Sequence, residues 1–274
     1  MGDIKVPPEF LLHRGVGLVE FFDLPETELD DLQPLIDRFA AEGRERFSFH
    51  APIARPEEFN HSGVTCFFLS EDEKRRETSF DLLGMTMDLA GRWQADYVVT
   101  HLTYGPTDCK DPELAYVLAV EACHRIADMS SSVGIPVDLE FAAYTDSFND
   151  PLHLTEIVSD RPELGICVDI GHVSIGATLR GRDFYDDIDA LLPETRSAHL
   201  WNTLGAEHTA QHHHTPLHPS QNSKNGWIDV EFVIDKILTK DKSIDLVFEY
   251  PVDNVTEDIQ AGYDWVISMA DRYK

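Results

Sequence analysis

Long apolar runs are missing from this chain. Nowhere do the ~18 consecutive hydrophobic residues of a membrane helix occur, so no membrane segment is expected. Met1-Gly2-Asp3 opens no basic and apolar leader, so a cytoplasmic location is expected. Basic residues are scarce: Lys and Arg number 22 against 50 Asp and Glu, a formal net charge of −28. Binding to a phosphate backbone relies on Lys and Arg displacing counterions, and there is no basic run to do so. Nucleic acid is therefore not an expected partner. The acidity also serves solubility by itself. Cysteines are few (Cys66, Cys109, Cys123, Cys167) and form no CxxC pair, which fits reduced thiols rather than a disulfide framework. Internal repeats, low-complexity tracts and Pro/Gly/Ser linkers are absent too, leaving one domain over 1–274 as the expectation.

What is present is a strand followed by a helix, again and again. At 42% hydrophobic, the 274 residues can bury a sizeable core. Residues 15–22 read as a strand carrying Glu20, and 30–41 show helical spacing of Leu32, Leu35, Ile36 and Phe39. Strands are read at 46–50, 96–102, 137–141, 166–168, 196–202 and 244–250. Helices are read at 71–94, 112–131, 150–158, 183–192, 230–238 with Asp229 as cap, and 256–273. A polar loop rich in His, Pro and Asn fills the gap after residue 202. Alternation of this kind predicts a parallel sheet with crossover helices. Seven strands are clear, and Asp3–Val6 with a cramped helix at Pro8–Arg14 would supply a short, irregular eighth unit. Eight units close a (β/α)8 TIM barrel. A doubly wound open sheet is the alternative, but no Gly-rich phosphate loop follows the first strand.

The chain is organised around Gly165-Ile166-Cys167-Val168-Asp169-Ile170-Gly171-His172. A buried strand delivers Asp169, then His172, where Gly171 is expected to let the chain turn away. Carboxylate and imidazole on a rigid support suit a divalent metal. The same pattern also arises when a strand-end Asp caps the next helix and a His packs beneath a loop. The other strand ends weigh against that coincidence: Glu20, His50, His101, Glu140, His199 and Glu249 join Asp169 and His172. The C-terminal ends of barrel strands converge on one rim, where so many carboxylates would need a cation to stay ionised.

These residues carry a family resemblance. Residues 165–172, Ser197-Ala198-His199-Leu200 and Val247-Phe248-Glu249 resemble the xylose isomerase-like TIM-barrel superfamily. Val137-Asp138-Leu139-Glu140 and Phe49-His50-Ala51-Pro52 add support. The similarity runs from about Gly15 to the end. It implies a sugar isomerase or epimerase in which one Mn, Mg or Co ion is held by Glu140, Asp169, His199 and Glu249. The two glutamates would move a proton, and His172 would hold a substrate oxygen. A small carbohydrate is then the expected partner, with substrate contacts from Glu20, His50, His61, Trp201, Asn202 and His214. Phe141, Tyr144 and Trp227 could likewise stack on a sugar or simply pack the loops.

The resemblance also covers the endonuclease IV group, zinc-dependent phosphodiester hydrolases with three metal ions. His101 matches one of their ligands, and His61 could match another. The late Asp-x-His pair reads Gln211-His212-His213 here, so an aspartate is missing. His213 is the expected ligand of this cluster, with His214 or His218 as substitutes. The superfamily's rim loops can be completed by a partner subunit, so a homo-oligomer is among the expected states. A barrel that has lost turnover and only binds a metabolite is a third reading.

Overall fold

The computed structural model describes residues 17–26, 29, 32–56, 59, 61, 65–142, 144–252 and 254–274. The expected eighth unit at Asp3–Arg14 lies outside them. Contacts divide the chain into two compact units, with the boundary after Ile166.

The first unit opens with strand β1 (Leu18–Phe21) and a two-residue strand β2 (Leu24–Pro25), then helix α1 (Leu32–Ala41). Next come β3 (Arg46–His50), the two-residue β4 (Ala54–Arg55), α2 (Glu73–Trp93), β5 (Val98–His101), α3 (Pro112–Val133), β6 (Val137–Glu140) and α4 (Pro151–Ser159). Its main sheet runs β1-β3-β5-β6 and ends on the first half of β7 (Leu164–Asp169); β2 pairs with β4. The β1–β3, β3–β5 and β5–β6 pairings are all parallel. Alternation along these strands sorts the side chains. One face carries Phe21, Phe47 and Phe49, whose rings meet one another at centroid distances of 5.6–6.2 Å; Phe21 also meets Phe39 of α1 at 6.0 Å and Phe49 meets Trp93 of α2 at 5.9 Å. The other face carries Glu20, Ser48, His50, His101 and Glu140. Register puts Glu20 beside Ser48 and His101 beside Glu140.

The second unit continues β7 and adds α5 (Ile170–Arg180), α6 (Phe184–Leu191), β8 (Thr195–Leu200), α7 (Ala206–His212), α8 (Val230–Lys240), β9 (Asp245–Phe248) and α9 (Glu257–Ala270). Its strand order is β7-β8-β9, with β8 and β9 parallel. The helices start where side-chain oxygens can take the first exposed N–H groups. Asp72, Asp111, Asp150, Asp169, Asp183, Asp229 and Thr256 each cap one in this way.

Two sequence expectations are corrected. The polar stretch after residue 202 is not all loop, because α7 forms within it, stopped by His213 at a φ of 58°. Gly171 does not turn the chain away from β7. It lies in the first turn of α5, which starts directly at Ile170.

Candidate metal centre

The acids and histidines singled out from strand ends lie at or within one residue of their strand's C-terminal limit, Glu20 included, except His172, which stands on the first turn of α5. In the first unit Glu140 is the centre. It is fully buried, and its Oε2 lies 2.9 Å from His50 Nε2 and 3.4 Å from His101 Nε2. His50 Nδ1 lies 3.1 Å from the carbonyl of Ala51, which can only accept, so the proton on this imidazole belongs on Nδ1. A hydrogen bond from Nε2 to the carboxylate then needs a second proton, carried on the ring or on Glu140. His101 also meets the ring of Tyr104 at 5.7 Å, and its carbonyl accepts from Cys66 Sγ at 2.6 Å. Burial pushes the Cys66 thiol well above its ordinary pKa, and the negative charges of Asp108 and Glu140 add to that. Glu20, half-buried, accepts from Ser48 Oγ at 2.8 Å. His61 is exposed, against the rings of Phe59 and Phe67 rather than beside Glu140.

In the second unit Asp169, His172 and Glu249 each present a ligand atom within 4.8 Å of the others. His199, fully buried, lies with Nδ1 3.3 Å from Glu249 Oε2, because it stands two residues before the level of Glu249 on the neighbouring strand. Asp169 also caps α5: Oδ1 accepts from His172 N–H at 2.6 Å. The capping and ligand readings of Asp169 are compatible, since each carboxylate oxygen has a second lone pair. Two carboxylates and two imidazoles gathered this tightly, with Asp169 wholly buried, form an oxygen–nitrogen donor set suited to a divalent cation.

Three further site residues stand as follows. His213 is exposed at the end of α7; His214 takes the inward place, with Nδ1 3.0 Å from the Glu249 carbonyl and 3.7 Å from its Oε2. Asn202 is fully buried and occupied in holding loops. Its Oδ1 accepts from Thr203 N and Ile228 N, and its Nδ2 donates to Gln221 Oε1. Trp201 is fully buried. His214 stacks on it at 3.9 Å and 6°, and its indole N–H donates to Asp169 Oδ2 at 2.6 Å. Phe141 is also buried, and Trp227 meets the ring of His208. Sequence reading overlooked the Trp201–Asp169 bond, since nothing local ties residues 32 apart. It overlooked Asp108 as well, a carboxyl that burial lifts to a pKa of about 7.

Comparison with known proteins places this arrangement in context. No curated protein matches in sequence. Among solved structures, an L-ribulose 3-epimerase is 15% identical with a TM-score of 0.65, covering 94% of this chain and 86% of its own. A xylose isomerase-like TIM barrel protein from Mycobacterium smegmatis in complex with magnesium is 15% identical with a TM-score of 0.59, covering 91% and 80%. The IOLI protein with a bound zinc atom is 15% identical with a TM-score of 0.66, covering 95% and 90%. At these identities the likeness speaks for the fold. A family profile described as xylose isomerase-like TIM barrel matches residues 11–269, nearly the whole chain and both units. The chain belongs to the xylose isomerase-like TIM barrel family.

Proposed function

We propose that this protein is a divalent-metal-dependent isomerase or epimerase of a sugar or a related polyol. The observation that carries this is the gathering of Asp169, His172 and Glu249 within 4.8 Å, with His199 against Glu249. Such a set fits a hard or borderline cation, and two neighbouring carboxylates are relieved of mutual repulsion by one. The family resemblance of the sequence implies Glu140, Asp169, His199 and Glu249 as the ligands of one Mn, Mg or Co ion. When bound, such an ion supplies Lewis-acid polarisation of a substrate oxygen.

The chain's own residues do the proton work. One glutamate takes the proton from the carbon beside the polarised group, and the other returns one. Removal from one side and return to the other inverts the carbon; return to the neighbouring carbon isomerises the sugar. His50, with its Nδ1 proton fixed by the Ala51 carbonyl, sets the proton balance of Glu140. His172, half-buried on the first turn of α5, would hold a substrate oxygen. The magnesium-bound and zinc-bound relatives and the ribulose epimerase support the choice of chemistry.

A second reading, a phosphodiester hydrolase of several zinc ions, draws on the first unit, where His50 and His101 both lie against Glu140. The exposed His213 and the net charge of −28 argue against it.

The test is solvent exchange. Ketoses incubated with the metal-supplemented protein in D2O are expected to gain deuterium at the reacting carbon, read by NMR. Glu140→Gln and Glu249→Gln should each slow this by about 10²-fold or more while circular dichroism stays unchanged. Exchange at the wild-type rate in either variant contradicts the two-carboxylate mechanism.

A further inference from the structure

We infer that Trp201 is a positioning residue, a donor plate that fixes Asp169 and seats His214 against Glu249. The inference rests on the metal reading above and assigns a role to a residue outside the ligand set. Asp169 has no exposed surface; its Oδ1 accepts from the His172 N–H and its Oδ2 from the Trp201 indole N–H, both at 2.6 Å. Charge-assisted bonds this short fix the carboxylate plane. An indole N–H only donates, so Trp201 cannot itself be a ligand.

The indole is held as firmly as it holds. Its ring lies over Gly171, where an added Cβ would come within 2.2 Å of Cε2 and Cζ2. Glycine inside a helix costs about 1 kcal/mol relative to alanine. At Gly171 it makes room for the ring. On the ring lies His214, stacked at 3.9 Å and 6°, its Nδ1 turned to the Glu249 carbonyl at 3.0 Å. His172 meets both rings edge-on, at 5.3 Å from each. One buried side chain thus touches the capping carboxylate Asp169 and two imidazoles, His172 edge-on and His214 face to face. Outer partners that orient a ligand in this way commonly change metal affinity 10–100-fold when removed.

The experiment is a manganese titration by calorimetry on the whole protein and on Trp201→Phe, which keeps the ring and deletes the donor. Wild-type binding, with at least a tenfold weaker dissociation constant in a variant of unchanged circular dichroism, supports the inference. Equal affinity in the two proteins overturns it and leaves the metal reading standing. No binding by the wild type overturns the metal reading and this inference with it. Should the variant not fold, ¹⁵N-tryptophan labelling of the wild type decides. The chain has four tryptophans, and the Trp201 indole signal is assigned by elimination with Trp93→Phe, Trp227→Phe and Trp265→Phe. That signal is expected to resist solvent exchange and to shift on saturation with magnesium, as the Asp169 charge it bonds becomes shared. An indole signal that stays put overturns the inference.

Discussion

Asp108 is a carboxyl in an uncomfortable place. Burial raises its pKa from 3.8 to about 7, and its bonds from Tyr104 N–H and Thr107 Oγ1, both at 3.4 Å, offset that only weakly. The folded protein therefore holds a proton here that the unfolded chain releases near pH 4. Stability from this group is fully present below that pH and is lost as pH rises through about 7. At about 1.4 kcal/mol per unit the loss is at most about 4 kcal/mol, and partial exposure lowers it. Asp108→Asn should remove it. In urea unfolding the variant is expected to be more stable than wild type at pH 8, with the gap closing towards pH 4; a gap independent of pH contradicts this. The candidate site was legible at this scale to an unequal degree. Strand-end carboxylates and histidines announce themselves by type, because a barrel gathers strand ends. What each side chain touches does not. Asn202, Trp201 and His213 sit in one short stretch, and the sequence gives no sign that the first two are buried and the third exposed. That depends on Thr203, Ile228 and Gln221 claiming the Asn202 amide, and on Gly171 making room for the indole.

At the scale of elements, several helix starts were legible in the sequence, though that of α5 was not. Aspartate followed by proline at 111–112 and 150–151 marks a cap and a first turn, and both helices begin there. α7 escaped notice for the same reason reversed: it is seven residues long, begins after Gly205 without a side-chain cap, and carries histidines rather than an apolar stripe. Packing against fixed backbone was equally hidden. In α9, a Cβ added to Gly262 would come 1.9 Å from the backbone oxygen of Leu217. Alanine in an open helix position would gain about 1 kcal/mol. Here the clash outweighs it, since backbone cannot swing aside as a side chain can. Gly262→Ala is expected to destabilise the protein by roughly 1–3 kcal/mol in denaturant unfolding. A neutral or stabilised variant would show that the helix shifts freely over the Leu217 segment.

At the scale of the whole molecule, the strand–helix alternation read from the sequence and the family match over 11–269 describe the same chain, and seven of the eight expected strands lie among the described residues. The net charge of −28 belongs to this scale as well. Six of the acids that produce it cap helices, and others stand at strand ends, so the excess is partly structural and partly chemical. A molecule of this charge attracts divalent cations and repels polyanions, which suits a small carbohydrate better than a phosphodiester chain. The most direct measurement is elemental analysis of the purified, untagged protein after dialysis, read as metal identity and molar ratio. The account predicts about one equivalent of manganese, magnesium or cobalt per chain, or uptake of one equivalent when it is supplied. Two or three zinc ions per chain would contradict the isomerase reading in favour of the hydrolase, and no metal with none taken up would contradict both.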